Sequence, residues 1–244
     1  VHRTTGMKVL TYVDDLLVFG TDEECARFFR KFRDSFRTTP PVSLSERSKN
    51  DPLVFLGHHL WIDSTDGMQH LVLSQTAFAD ALIDKFRHAV QHKCTSLSPS
   101  MFTHNYLNDA PPLTDTEHKR FREIVGSLMY LILCTRPDLA SAVTILAEGQ
   151  AKPTSNHLDS AYRVIGYLAH TAHLSLTLPI HPLSAGATIN IDAHADANYA
   201  NERARSGLVV FIHGAPTMWK SHRQKLVCLS TCEAELVSLT QASR

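Results

Sequence analysis

The 244-residue sequence is poor in the features that would staple or anchor it. Its five cysteines (Cys25, Cys94, Cys134, Cys228 and Cys232) are odd in number and include no C-x-x-C pair. That excludes a disulfide framework and points to a reducing, intracellular setting. No apolar stretch approaches the ~20 residues of a membrane-spanning helix; the longest, at 128–134, reads as a core helix segment. The opening Val1-His2-Arg3-Thr4 lacks the apolar centre of a signal peptide, and its valine suggests a fragment. Net charge is absent too: 24 basic residues balance 24 acidic ones, which argues against a uniformly basic nucleic-acid-binding surface. There is no Gly-rich phosphate loop, internal repeat or low-complexity tract.

What remains is ordinary globular material, 43% hydrophobic and 20% charged, enough for one large or two small domains. Three local basic patches stand out: Arg27, Arg30, Lys31, Arg33 and Arg37; Lys119, Arg120 and Arg122; and Lys220, Arg223 and Lys225. Each could meet phosphates, or be the solvated face of its element.

The pattern predicts an α+β fold. Thr21-Asp22-Glu23-Glu24 is a capping box opening a helix, on which Cys25, Phe28, Phe29, Phe32 and Phe36 form an aromatic stripe expected to face the core. Pro40-Pro41 ends that helix. Positions 53–62 are apolar and β-prone, Asp66-Gly67 signals a turn, 69–73 returns as a strand, and Ser74 caps a helix through Phe78, Leu82 and Phe86. Composition at 95–112 predicts a surface loop or linker. Thr114-Asp115-Thr116-Glu117 opens a helix with Phe121, Ile124, Val125, Leu128 and Ile132 on one face. Pro137 starts another, and a third is expected at 156–171. Positions 178–186 read as a separator. Then come strands at 188–195 and 206–213, a third around Met218-Trp219, and a helix at 231–242.

Tyr12-Val13-Asp14-Asp15 lies between two short apolar runs, 7–13 and 16–19, that read as a strand pair. Adjacent carboxylates repel, and a divalent ion is the usual remedy; oxygen ligands suit Mg²⁺ or Mn²⁺. The alternative is a solvated Asp-Asp turn. Further along, Asp192, His194 and Asp196 alternate on one strand face, while Glu233 and Glu235 fall near a helix start. Alone, Asp196 and Glu235 would read as exposed acids. His88, His92 and Cys94 could be zinc donors one helical turn apart, without an evident fourth ligand. Cys228 and Cys232 read as small core residues.

Y-V-D-D resembles the polymerase palm motif of reverse transcriptases. The ordered series Val54-Phe55-Leu56-Gly57, Leu73-Ser74-Gln75, 126–131 (G-S-L-M-Y-L), Thr135-Arg136-Pro137-Asp138, Pro153-Thr154, His157, Tyr167-Leu168 and Thr171 resembles the Pol polyprotein of copia-type LTR retrotransposons. Trp219-Lys220-Ser221 through Gln224, with 229–235 (L-S-T-C-E-A-E), resembles the start of that family's ribonuclease H domain.

The resemblance implies three parts: a reverse transcriptase palm remainder and thumb-like region at 1–95, a helical connection at 96–180, and a truncated ribonuclease H-like domain at 185–244. It implies Asp14 and Asp15 as palm metal ligands, Tyr12 near a primer terminus, and Asp196 and Glu235 as nuclease metal ligands. In the motif at 194–200, Asn198 replaces the family's second Asp and Tyr199 its Trp. Arg27, Arg30, Lys31, Lys220, Arg223 and Lys225 become backbone-phosphate contacts. Implied partners are an RNA template, a DNA primer, an RNA–DNA hybrid, dNTPs and the remainder of the Pol polyprotein. The implied setting is a cytoplasmic virus-like particle or the nucleus, and the implied cofactor is Mg²⁺ or Mn²⁺. The family also needs a palm Asp before Tyr12 and further nuclease acids after Arg244, so neither ligand set is expected to be whole in this sequence. A non-catalytic Pol relic, binding at most nucleic acid or a partner, is the alternative.

Overall fold

The computed structural model describes residues 6–65, 67–90, 94–180, 188–198 and 204–243. The chain is mixed α and β, an α+β fold as expected. Strands β1 (Lys8–Tyr12) and β2 (Asp15–Phe19) form an antiparallel hairpin, followed by helix α1 (Asp22–Ser35). Its capping box forms as expected: the Thr21 hydroxyl accepts the Glu24 N–H, and the Glu24 carboxylate accepts the Thr21 N–H at 3.1 Å. The aromatic stripe does not reach the core. No residue of α1 is buried. Phe28, Phe32 and Phe36 stack on one another instead, with ring centroids 5.5 and 4.6 Å apart. The spacing was helical, but spacing cannot say whether another element lies opposite it.

A four-stranded antiparallel sheet follows the order β3 (Leu53–Phe55), β4 (His58–Thr65), β5 (Met68–Ser74), β6 (Leu176–Pro179). The β-prone run at 53–62 is broken by a two-residue turn, Leu56-Gly57, whose positive φ values of 51° and 77° mark a type I′ hairpin. The expected separator at 178–186 begins inside β6, where Leu176 and Leu178 pair with Leu73 and Leu71. Residues 181–187 lie outside the described residues.

Helix α2 (Thr76–Phe86) crosses to the helical layer. Ser74 sits one residue before its cap, Gln75, and its Oγ accepts the Thr76 N–H at 3.1 Å. The segment at 95–112 is not a bare loop. It contains a 3₁₀ turn (Pro99–Phe102) and a short helix α3 (His104–Asn108) that bury Phe102 and Leu107. Two large apolar residues inside a Ser- and Asn-rich stretch outweigh its polar composition.

Helices α4 (Asp115–Cys134), α5 (Ala140–Glu148) and α6 (Ser155–Thr171) supply most of the core. Phe121, Ile124, Val125, Leu128, Leu131, Leu139, Val143, Leu146, Val164, Ile165 and Leu168 are all fully buried, joined by Ala79, Leu82 and Phe86 from α2. Each such side chain contributes about 1.5–3 kcal/mol of transfer free energy. One core thus runs from α2 through α6, across position 95.

A buried polar network closes the helical layer. The guanidinium of Arg136, 2% exposed, donates from Nε and Nη2 to the Asp138 carboxylate at 2.9 and 2.7 Å. It also donates to the Thr171 carbonyl and hydroxyl at 3.2 and 2.7 Å. Beside it the Thr135 hydroxyl donates to Gln75 Oε1 at 2.7 Å. At the other end of α6, Thr154 and His157 form a capping box in which His157 Nδ1 accepts the Thr154 N–H. Burial holds the His157 imidazole below its ordinary range.

The last unit is a three-stranded antiparallel sheet, β7 (Ile191–Asn198), β8 (Arg205–Ile212) and β9 (Ala215–Arg223), with helix α7 (Thr231–Ala242) on one face. The second turn is His213-Gly214, again with both φ positive, one residue earlier than the Gly-Ala-Pro signal suggested. Cys228 is buried, as expected; Cys232 is exposed, because it falls on the outer side of α7's first turn.

Two outcomes follow. Arg136→Met leaves Asp138 and Thr171 without their buried partner and is expected to cost about 3–5 kcal/mol in urea unfolding. Because the folded pKa of His157 is depressed, its contribution is complete above the unfolded value near 6.5 and is lost as pH falls below it. Stability should therefore decline from about pH 6.5 downward, and His157→Asn should flatten that decline.

Candidate functional site

The acidic hairpin is built by its register. Tyr12 pairs with Asp15, so the two loop residues are Val13 and Asp14, not the two acids. Asp15 opens β2 as a paired strand residue. Val13 has φ 49°, and Asp14 is not among the positive-φ residues. A positive φ at the first loop position alone is the mark of a type II′ turn, where glycine is the usual residue. A β-branched residue there is a genuine outlier, costing about 1–3 kcal/mol. Val13 is also 80% exposed, and both carboxylates stand in solvent at the tip. Leu10, Tyr12, Asp15, Leu17 and Phe19 share one face of the hairpin, with Leu10, Tyr12 and Phe19 exposed. Arg27, Arg30 and Lys31 are exposed along α1.

The second acid pair is divided by its own sheet. Asp192, His194 and Asp196 do share a face, as the alternation predicted. Ala197 packs toward Ala234 and Val237 of α7, and its cross-strand partner Ser206 accepts from the buried Gln224 amide, which also bonds the Ala234 carbonyl. Asp196 alternates with Ala197 and so belongs to the opposite face. Glu235 rides half-buried on α7. The elements are close: the Ser238 hydroxyl, one turn beyond Glu235, donates to the Asp196 carbonyl at 2.9 Å. It is the main chain of Asp196 that α7 meets, not its carboxylate face.

That carboxylate face meets the helical layer. Trp219 Nε1 donates to the Ile132 carbonyl at 2.5 Å, and Arg205 reaches Thr144 and Glu148. Between them lies a cleft of about 450 Å³ lined by Asp138, His194, Asp196, Gly207, Trp219 and Ser221 among others. Lys220, Arg223 and Lys225 are exposed at its margin and beyond. His222 lies on the α7 side, where burial and the nearby Lys220 and Arg205 lower its pKa.

Among the described residues no group of three or more His, Cys, Asp or Glu could hold a metal ion. Asp14 with Asp15 offers two hard oxygen donors, a partial set for Mg²⁺ or Mn²⁺; Asp196 and Glu235 converge less. The zinc reading has no helix to stand on: α2 ends at Phe86, so His88 lies beyond it, and Cys94 is buried against the Arg163 carbonyl. His92 and Tyr199 lie outside the described residues.

The motif series missed by side-chain chemistry turns out to be mutual support. Tyr130 donates its hydroxyl to the Leu56 carbonyl at 3.3 Å, clasping the Val54-Phe55-Leu56-Gly57 turn. Leu73-Ser74-Gln75 meets Thr135-Arg136-Pro137-Asp138, which meets Thr171; Thr154 is joined to His157. The signal was the burial-prone polar residue beside proline or at a helix end, which a single sequence does not pair with its partner.

Comparison with known proteins gives a consistent kinship. The chain is 30% identical, over 96% of its length, to the retrovirus-related Pol polyproteins from transposons RE1 and RE2 of Arabidopsis thaliana. It spans only about 15% of the length of each of these relatives. It is also 28% identical, over 96% of its length and 90% of the relative's, to an uncharacterized mitochondrial protein of Arabidopsis thaliana. No protein-family model matches the chain, and no solved structure does.

Val13→Gly removes the Cβ that makes this turn costly, against a smaller loss of chain entropy, for a net gain of about 0.5–1 kcal/mol. Amide exchange at the Tyr12–Asp15 rung is expected to slow a few-fold in the variant; unchanged exchange would mean that the turn carries no strain.

Proposed function

We propose, from the premise that this chain is a homologue of the retrovirus-related Pol polyproteins of transposons, that it is the part of a copia-type Pol protein that carries the polymerase hairpin, the helical connection and the opening of ribonuclease H. The activity is RNA-directed DNA polymerisation, with hydrolysis of RNA in the hybrid as the second chemistry. The observation carrying this reading is the strained Tyr12–Asp15 hairpin: a costly backbone at Val13 spends stability to hold Asp14 and Asp15 at an exposed tip. The turns at Leu56-Gly57 and His213-Gly214 also have a non-glycine residue with positive φ at the first loop position, but neither residue is β-branched and each is followed by glycine where this turn has Asp14.

In this role Asp14 and Asp15 contribute carboxylate oxygens to a Mg²⁺ or Mn²⁺ site whose remaining donors come from elsewhere, including substrate phosphates and water. The ion, when bound, orients the triphosphate and stabilises the attacking and leaving oxygens. Tyr12, on the face of Asp15, stands beside the primer end. Arg27, Arg30 and Lys31 on α1 and Lys220, Arg223 and Lys225 near β9 hold backbone phosphates of template, primer and hybrid. Asp196 and Glu235 serve the nuclease set; with their present division across β7, a shift of α7 or of the sheet against the helical layer is needed before they act together.

The division of that second pair favours one rival, a non-catalytic Pol relic that retains the scaffold and binds at most nucleic acid or a partner. Primer extension separates the two. The chain as it stands is expected to be inactive, and a version extended upstream in its Pol protein is expected to add nucleotides to a primer in Mg²⁺ or Mn²⁺. Asp14→Asn in the extended version should abolish the product. An extended version that is folded yet inactive would make the relic the correct reading.

A further inference from the structure

The edge of a β-sheet presents a row of unpaired N–H and C=O groups, and natural proteins blunt such edges with short strands, Lys, Pro or bulges. The strands of this chain follow that rule with one exception. β3 has three residues, and β6 has four and ends on Pro179. β9 carries Pro216, Lys220 and Arg223, and its pairing with β8 is bulged at Val210/Phe211. The hairpin strands β1 and β2 have five residues each, and β1 begins on Lys8. The exception is β7, the other edge of the last sheet. It runs for eight residues, I-D-A-H-A-D-A-N, with no Lys and no Pro, and pairs with β8 in unbroken register from Ile191 to Asn198. Among the described residues nothing pairs with its outer side.

The side chains of β7 decide what this edge accepts. Asp192, His194, Asp196 and Asn198 alternate onto one face and are all exposed. Two aspartates repel a strand that sets acids opposite them and favour one that sets N–H donors there. β7 itself supplies those donors. When two β7 strands pair antiparallel about a two-fold axis, each register places one residue opposite its own copy. Centred on His194, the pair would set Asp192 against Asp196, and like charges would meet. Centred on Ala195, it sets each His194 against Asp196 of the second copy and each Asp192 against Asn198. Centring on Ala193 also brings Asp192 to His194, but it pairs only 191–195 of the strand, against 192–198 for the Ala195 register. Asn198 is already oriented: its Oδ1 accepts the Arg205 main-chain N–H at 3.0 Å, which leaves Nδ2 to donate. The His194 ring stands perpendicular to Phe211, with centroids 5.7 Å apart. On the opposite face the residues brought together are Ala193, Ala195 and Ala197, small enough to let the two α7 helices lie side by side.

We propose that the outer edge of β7 is a self-association surface, on which a second copy of this chain pairs its own β7 antiparallel about Ala195 and joins the two sheets into one. The partner is a second copy because the same four polar residues carry both the carboxylates and the N–H donors that answer them. Trp219 of β9 and Arg205 of β8 hold the helical layer, while the β7 side chains on that face remain exposed. The inference goes beyond polymerase and nuclease chemistry and stands whether or not the chain polymerises DNA.

Sedimentation equilibrium from about 1 to about 100 μM, the span in which a small interface assembles, is expected to show the mass rising from one chain to two. Amide exchange at the β7 residues whose N–H points away from β8 is expected to slow at least threefold at the upper concentration, with the β9 amides unchanged. His194→Asp, which sets acid opposite acid in the Ala195 register, is expected to weaken association at least tenfold with the unfolding midpoint unchanged. His194→Lys, which keeps a donor opposite Asp196, is expected to preserve it. A chain that stays monomeric throughout, or a dimer whose β7 exchange does not change, would overturn the proposal. So would a His194→Asp chain that associates as the parent does. A His194→Lys chain that is folded yet monomeric would overturn it too, because lysine blocks an edge only where no acid faces it.

Discussion

Much of the molecule hangs on a guanidinium taken out of water. Burying Arg136 is costly, and only a near-complete set of partners makes it tolerable. The Asp138 carboxylate takes two of its N–H groups, and Thr171 takes bonds at its carbonyl and hydroxyl. Thr171 ends α6, so the hydrogen bonds it accepts from Arg136 tie the turn after α4 to the far end of another helix. The neighbouring Thr135 draws in Gln75 from the start of α2, and Ile132, one turn earlier, receives the Trp219 indole from β9. Four parts of the chain therefore converge within five residues, Ile132 to Arg136. The cleft beside Asp196 begins just past this stretch, where Asp138 and Ser141 line it.

Backbone strain is distributed unevenly across the hairpins. Leu56 and His213 adopt left-handed φ values of 51° and 50°, but each is followed by a glycine that shares the type I′ turn. Leu56 gains a further brace from Tyr130, whose hydroxyl also sits 3.4 Å from where a Cβ on Gly57 would stand. Val13 has φ 49° and is followed by aspartate. The first loop position makes the same demand in all three turns, and only at Val13 is it met by a β-branched side chain. That contrast separates the Tyr12–Asp15 hairpin from an ordinary turn.

The elements whose local chemistry is self-contained were legible in the sequence. The capping boxes at Thr21 and Thr114, the buried stripe of α4, Pro137 opening a short 3₁₀ turn, and α7 at 231–242 all follow from residues within a turn of each other. Facts that depend on what lies opposite were not legible. The phenylalanines of α1 have helical spacing but no core to enter, and Leu176 and Leu178 become a strand only because β5 offers its free edge. The acids behave the same way. Adjacency gave Asp14 and Asp15 as a pair, whereas the separation of Asp196 from Glu235 depends on which face of β7 the helix covers. Arg205 drew no notice as a lone basic residue; the rung that sets it beside Arg223 exists only after β8 and β9 are in register.

The two acid-bearing regions face opposite physical problems. Asp196 is exposed on a sheet face that is already held against the helical layer by Trp219 and by Arg205 with Glu148, so its place in the molecule is fixed by packing. Asp14 and Asp15 belong to a two-stranded sheet whose Leu10, Tyr12 and Phe19 are exposed on the face of Asp15. A lone hairpin is at best marginally stable in water, and apolar side chains gathered on one face favour a covering surface. Whatever surface covers that face also fixes where Asp15 and Tyr12 stand, because side chains on one face of a paired strand move together. Burial of the apolar residues and alignment of the acid are thus one event: the free energy that docks the hairpin is also what positions its carboxylates.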